Sequence, residues 1–81
     1  MSPHDALTAL DIKLLFQAAD GDGSVRIVYQ AEGVSIEANG HSVPGVRPEG
    51  IERLQACGYL EGGPELFQVT PAGREYAESM K

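Results

Sequence analysis

The stretch "RLQACGYLEGGPELFQVTPAGREYAE", residues 53–78, decides the fold of this chain. Its first part continues an amphipathic helix that the apolar spacing predicts over residues 48–57, and Gly58 stands where a left-handed C-cap residue belongs. The glycines and proline of "EGGPE", residues 61–65, then predict the turn of a hairpin. A threonine and a proline follow the hairpin and predict the start of a last helix over residues 71–80. The stretch therefore predicts a helix, a two-stranded hairpin and a second helix, in that order.

The N-terminal part of the chain predicts one more helix. Thr8 stands three residues before Asp11, which is a weak form of the capping box that begins many helices. Apolar residues then recur over residues 9–19 in a stripe wide enough to face a core. The residues expected to face that core are Leu7, Leu10, Ile12, Leu14, Leu15 and Ala19. The sequence "DGDGS", residues 20–24, ends the helix in a turn.

Three short strands are predicted between the first two helices, because apolar and polar residues alternate there with a period of two. They lie near residues 25–30, 34–38 and 41–43. Asn39 and Gly40 join the last two strands, and both residues accept the positive φ of a type I′ hairpin turn. We therefore expect an antiparallel sheet with one apolar, covered face and one face open to water.

Length and composition place the chain in one α+β domain. Its 81 residues suffice for a single core, and 42% hydrophobic with 22% charged residues is typical of a globular protein rather than a disordered one. The predicted order of elements is α-β-β-β-α-β-β-α over residues 1–81. We find neither a secretory signal pattern nor an apolar segment of membrane-spanning length, and we expect a cytoplasmic protein with no membrane partner.

The acidic turn after the first helix partly matches a calcium-binding loop. Asp20, Asp22 and Ser24 occupy the first, third and fifth places of an EF-hand-like loop. Val25 then replaces the glycine of the sixth place, and Ala31 replaces the bidentate glutamate of the twelfth. Short polar side chains beside glycines also make an ordinary turn, which is the interpretation that we favour.

The remaining polar residues match no recognised catalytic or metal-binding pattern. His4, His41 and Cys57 are far apart in sequence, without a ligand pair at the spacing of structural zinc sites. Ser42 adjoins His41, but neighbouring residues of a strand point to opposite faces and do not form an oriented dyad. Cys57 lies at an apolar helix position, where we expect a packed side chain. We therefore expect no enzymatic activity, no metal and no cofactor.

The decisive stretch resembles the second half of winged-helix domains. In that family a helix ends in Leu-x-x-x-Gly-(Leu or Tyr)-(Leu or Ile), and the two strands that flank a wing end in Thr-x-x-Gly. In this chain those positions are Leu54, Gly58, Tyr59 and Leu60, followed by Thr70 and Gly73. The resemblance covers residues 47–81, and residues 9–19 resemble the usual first helix. Residues 24–46 depart from the family pattern, because strands stand in place of its second helix and alter the unit that sets a recognition helix in DNA.

The resemblance implies a recognition helix over residues 48–57, and the charges there bear on DNA binding. Glu49 and Glu52 offset the two arginines of this region, while the whole chain carries a net charge of −6. The segment "EGGPE" offers two carboxylates where a wing usually touches phosphate, so it repels a nucleic acid. A DNA-binding transcriptional regulator is therefore the alternative function. Its candidate nucleic-acid contacts are Arg47, Arg53, Gln55 and Arg74.

The function that the sequence favours is a non-catalytic protein-interaction module, with a homodimer as one form of it. A small acidic domain with an exposed sheet edge offers surfaces that a partner strand or helix can use. Four large apolar side chains are candidate partner contacts if they prove exposed, and core residues otherwise. They are Tyr29, Leu66, Tyr76 and Met80.

Overall fold

The computed structural model of the protein describes residues 7–79, so His4 and Met80 lie outside the described residues. Within that range the chain forms three helices and a five-stranded antiparallel sheet. In chain order the elements are α1 (Ala9–Ala19), β1 (Ser24–Gln30), β2 (Gly33–Ala38), β3 (His41–Ser42), α2 (Pro48–Ala56), β4 (Leu60–Gly62), β5 (Leu66–Val69) and α3 (Pro71–Ser79). The predicted α+β class and the predicted order of elements are confirmed.

The sheet has the strand order β3-β2-β1-β5-β4, and each strand is antiparallel to its neighbours. β1 is the central strand and pairs with β2 along its whole length, from Val25 opposite Ala38 to Gln30 opposite Gly33. Its pairing with β5 is shorter and ends at Arg26. Among the described residues, the outer part of β1 therefore has a strand neighbour on one side only.

The helices pack against one face of the sheet and form the core with it. α1 contacts β1, β2 and β5, while α2 contacts β4 and α3 contacts β5. The buried side chains of this face of the sheet are Val25, Ile36, Ala38, Leu60, Phe67 and Val69. Leu14, Leu15, Ile51 and Leu54 are the largest helical residues that meet them, and each is almost fully buried. Cys57 is half-buried and packs against the core, as the sequence predicted.

The turn between β2 and β3 has the geometry that its sequence predicts. Asn39 has a φ of 55° and Gly40 a φ of 79°, and a type I′ turn needs positive φ at both central positions. The side-chain amide of Asn39 also donates a hydrogen bond to the carbonyl oxygen of Gln17. The turn is therefore tied to the C-terminal part of α1.

A hydrogen-bonded junction joins the end of α2, the start of β4 and the start of α3. The hydroxyl of Thr70 donates to the carbonyl oxygen of Gly58 at 2.6 Å and accepts from the N–H of Gly73 at 3.1 Å. The N–H of Thr70 donates to the carbonyl oxygen of Tyr59 at 3.0 Å. A Cβ atom added to Gly73 would stand 2.5 Å from that same carbonyl oxygen. The predicted helix cap at Thr70 is confirmed, and Gly73 permits the close approach of α3 to the backbone of Tyr59, just before β4.

Two expectations about apolar surfaces need correction. The predicted core-facing stripe of α1 included Leu10, yet this side chain is 41% exposed, whereas the carboxylate of Asp11 is buried. The meander has the expected apolar face, but the helices cover only its inner part. At its outer end Tyr29 is 62% exposed and Val34 is 46% exposed. Sequence periodicity identifies the apolar side of an element but does not show how far neighbouring helices reach over it.

Candidate functional site

The four residues predicted as nucleic-acid contacts are divided among three places. Arg47 is exposed just before α2, where it lines a shallow pocket together with Arg53. Gln55 faces the hairpin turn instead, and its amide donates to the carbonyl oxygen of Gly62 at 3.4 Å. Arg74 donates to the carbonyl oxygen at the end of α1, on Ala19, at 3.1 Å. Because Arg74 contacts the end of α1, it does not form a single basic patch with the other two arginines.

Arg53 forms an ion pair between α2 and α1. Its Nε atom lies 2.6 Å from one carboxylate oxygen of Asp11, and its Nη2 atom lies 3.2 Å from the other. The N–H of Thr8 donates to the same carboxylate at 3.0 Å, which completes the capping box of α1. Gly50 of α2 faces this group, and a side chain there would collide with the carboxylate. The structure therefore places Arg53 in an inter-helix contact, while its side chain remains 36% exposed.

The environment of Asp11 favours its ionised form. Burial raises the pKa of this carboxyl, but the hydrogen bonds from Arg53 and Thr8 outweigh burial and hold the pKa below its usual value. The paired guanidinium in turn has a raised pKa, chiefly because of its hydrogen bond to Asp11. A buried carboxylate needs such a partner, since an unpaired buried charge is costly. This pair is therefore explained by the fold and needs no ligand.

The four residues predicted as partner contacts also separate. Tyr29 and Leu66 are both largely exposed, Leu66 at 55%, but they lie on opposite faces of the sheet. Leu66 stands opposite Arg26 on the open face, whereas Tyr29 belongs to the face that the helices partly cover. Tyr76 is half-buried and stacks on Tyr59, with ring centroids 4.7 Å apart. Of the three residues that the structure describes, Tyr29 and Leu66 remain candidate contacts.

Tyr29 belongs to an exposed apolar pair that the sequence analysis did not recognise. It stands directly opposite Val34 on β2, and the next pair inward is Ile27 opposite Ile36. The two exposed side chains thus continue the apolar face of the core beyond the helices. The signal was present in the sequence, because the two-residue turn between β1 and β2 sets the register that joins these positions.

The backbone beside Tyr29 is an open sheet edge. The last hydrogen bond between β1 and the hairpin is donated by the N–H of Ile27 to the carbonyl oxygen of Glu65, at 2.8 Å. From there the hairpin turns back through residues 62–65 toward β4. We call the backbone of residues 28–30, on the side away from β2, the open edge of β1.

A pocket of about 260 Å³ lies where β5 leaves β1. We call it the edge pocket, and it is bounded by β1, α2 and the hairpin turn. Its lining residues are Ile27, Pro48, Ile51, Glu52, Gln55, Gly62, Gly63, Pro64 and Phe67. Ile27 therefore lines this pocket and directly precedes the open edge of β1. The pocket is mostly apolar, with Glu52 as its charged group.

A second, larger groove of about 720 Å³ runs along the outer side of α1. Ile12 and Phe16 supply its apolar part, and His41 stands at its border on β3. His41 is exposed, as predicted. This groove is bounded by the side of a helix and the two-residue strand β3.

The acidic turn after α1 and the lengths of the helices bear on metal binding and on membrane insertion. Asp22 accepts a hydrogen bond from the N–H of Ser24 at 2.9 Å, which is the ordinary turn that we favoured over a calcium loop. Within residues 7–79, no three His, Cys, Asp or Glu side chains form a group able to hold a metal ion. Each helix in the same range is too short or too polar to cross a membrane.

Comparison with known proteins adds no relative from which a function can be transferred. No family model, no curated protein and no solved structure matches the chain.

Proposed function

We propose that this protein is a non-catalytic protein-interaction module with a winged-helix-like fold. The order of elements and the junction of Thr70 with Gly58 and Gly73 support the likeness to winged helices. The observation that carries the function is the exposed pair of Tyr29 and Val34 beside the open edge of β1. An apolar pair next to unpaired backbone groups is a surface that another protein can cover by adding a strand.

Electrostatics support a protein partner over a nucleic acid. The net charge is −6, and the hairpin turn presents Glu61 and Glu65 to solvent. Arg53 is engaged by Asp11 and Arg74 by a carbonyl oxygen, which leaves Arg47 as the most available arginine near α2. Most of the non-specific affinity for DNA comes from clustered cations that neutralise phosphates. The arginines described near α2 therefore offer few free cations for the phosphate contacts that the alternative function requires.

A titration with mixed-sequence duplex DNA tests this proposal. We expect no measurable binding at about 50 mM salt, the condition that most favours phosphate contacts. Fluorescence anisotropy of a labelled duplex is a suitable measurement, repeated at about 200 mM salt. Tight binding that weakens steeply between the two conditions would reverse the proposal and favour a DNA-binding regulator.

A second copy of the chain is the other candidate partner, and sedimentation velocity tests it. We expect a monomer over a wide range of concentrations, because two copies each bring a charge of −6 to a shared interface. A mass that rises with concentration to that of a dimer would identify the homodimer as the functional form, provided that the Tyr29→Ala variant stays a monomer at the same concentrations. The Leu66→Ala variant is the matched control, because Leu66 lies on the opposite face of the sheet.

A further inference from the structure

We propose that the open edge of β1 binds an extended, basic segment of a partner protein as an additional β-strand, with one apolar side chain of that segment in the edge pocket. This inference rests on the proposed function and specifies the chemistry of the partner. Three features meet at one place and support it: unpaired strand backbone, an apolar pocket, and carboxylates that outnumber the nearby cations.

The alternation of hydrogen bonds along β1 shows which backbone groups face the open edge. The carbonyl oxygen of Ser24 accepts from Asn39 on the β2 side, whereas the N–H of Ile27 donates to Glu65 on the β5 side. Because successive residues of a strand direct their N–H and C=O groups to alternate sides, even-numbered residues face β2 and odd-numbered residues face β5. The N–H and C=O groups of Tyr29 therefore point toward the open edge, two residues beyond the last bond to the hairpin.

The outer strands of the sheet offer less to an added strand. β3 has two residues, and β4 has three residues that end at Gly62. Very short outer strands are a usual means of preventing unwanted strand pairing. β1 has seven residues, so its outer part extends past β5 and carries the exposed ring of Tyr29 at the same position.

The edge pocket gives the added strand a place for a side chain. Side chains of an added strand alternate between the two faces of the sheet, so every second one lies on the face that carries Ile27 and Tyr29. On that face the pocket opens between Ile27, Phe67 and Pro48. A branched aliphatic side chain suits a space of about 260 Å³ that is lined in this way.

The carboxylates around the open edge of β1 favour a basic partner segment. Glu52 lines the edge pocket, Glu65 precedes β5 at the end of the open edge, and Glu32 lies in the turn that follows β1. None of the described residues that line the pocket is Lys or Arg. Arg47 lies near Val34, but Glu49 lines the same surface and offsets its charge. Lys or Arg residues on the partner would thus meet carboxylates, and such complementarity sets specificity and the rate of association.

The experiment uses the full chain, labelled with ¹⁵N, and two synthetic hexapeptides. One peptide alternates lysine and valine, and its control alternates glutamate and valine. We expect the basic peptide to shift the amide resonances of residues 27–30 and of Phe67, and the acidic peptide to leave them unchanged at about 1 mM. A third peptide, the basic one with N-methyl groups on alternate amides, cannot complete the strand pairing. It is expected to bind about tenfold more weakly, since the hydrogen bond to the carbonyl oxygen of Tyr29 is lost and the methyl groups obstruct strand pairing.

Two exposed apolar residues provide matched variants of the protein. Tyr29→Ala is expected to weaken the binding of the basic peptide about tenfold, because the variant loses an aromatic contact at the centre of the interface. Leu66→Ala, on the other face of the sheet, is expected to change it by less than about twofold. Both side chains are largely exposed, so neither variant should unfold the protein.

The possible results separate this inference from the proposed function. Equal binding of the basic and N-methylated peptides, or no shift with either, overturns strand addition at the open edge. Shifts confined to the groove around Ile12 and Phe16 also overturn it, while leaving protein association intact. Tight, salt-dependent binding of duplex DNA would instead overturn the proposed function.

Discussion

The Gly73→Ala variant is expected to lose about 2–3 kcal/mol of the free energy of unfolding, which lowers the melting temperature by roughly 10–20 °C for a domain of this size. The added Cβ would stand 2.5 Å from the carbonyl oxygen of Tyr59 and 3.0 Å from Cγ1 of Val69. The first of these atoms is backbone and cannot move aside by a rotation about a side-chain bond. Alanine stabilises a helix relative to glycine by up to about 1 kcal/mol, and the expected loss of unfolding free energy is the net value after that gain.

The clash also acts on the junction around Gly73. Moving α3 away from Tyr59 would stretch the hydrogen bond from the N–H of Gly73 to the hydroxyl of Thr70, and with it the bond from that hydroxyl to Gly58. Urea unfolding followed by circular dichroism measures the effect. Glu75→Ala is the control, because Glu75 is exposed on the same helix. A Gly73→Ala variant as stable as that control would show that α3 can shift without cost, and that the close approach is unimportant.

The Asp11→Asn variant is expected to lose about 2–3 kcal/mol at pH 7, because charge-assisted hydrogen bonds contribute about 1.5–3 kcal/mol and one oxygen is replaced by an amide donor. Asp11 is 2% exposed and accepts from both Arg53 and the N–H of Thr8. The amide group of asparagine would face either the guanidinium or the N–H, and both are donors. The contact between α1 and α2 would then contain an unpaired donor.

The effect of Asp11→Asn should depend on pH in a defined direction. The folded protein holds the pKa of Asp11 below its unfolded value, so its ionised form stabilises the fold. That contribution is present above the unfolded pKa, near 3.9, and is lost as the pH falls through the lower, folded pKa. The stability difference between the wild type and the variant should therefore shrink as the pH falls below about 4. A stability difference that stays constant to low pH would contradict the ion pair. The control is Glu78→Gln, which removes a carboxylate from the exposed surface of α3.

Local signals in the sequence predicted the elements well, because the residues that set them act on their own backbone. Thr8 and Asp11 form the capping box that begins α1, and Gly58 has the positive φ expected of it, 81°. Asn39 and Gly40 likewise produce the turn that their types require. Such signals need no knowledge of the rest of the chain, so they can be recognised in a single sequence.

Features that depend on distant residues were not predictable in the same way. The burial of Asp11 depends on Arg53, 42 residues further along the chain, and sequence periodicity assigns such a polar residue to the surface. The open edge of β1 arises because β5 is shorter than β1, and the exposed pair of Tyr29 and Val34 arises because the helices stop short of it. The sequence predicted an exposed edge in general, but only the strand order shows where it lies.

The exposure of Tyr29 also gives the protein a built-in optical probe. The chain has three tyrosines and no tryptophan, so tyrosine emission can be followed without interference from indole. Tyr59 and Tyr76 are stacked together, one buried and the other half-buried, whereas Tyr29 is in open contact with water. A small soluble quencher therefore reaches the Tyr29 ring far more readily than the other two.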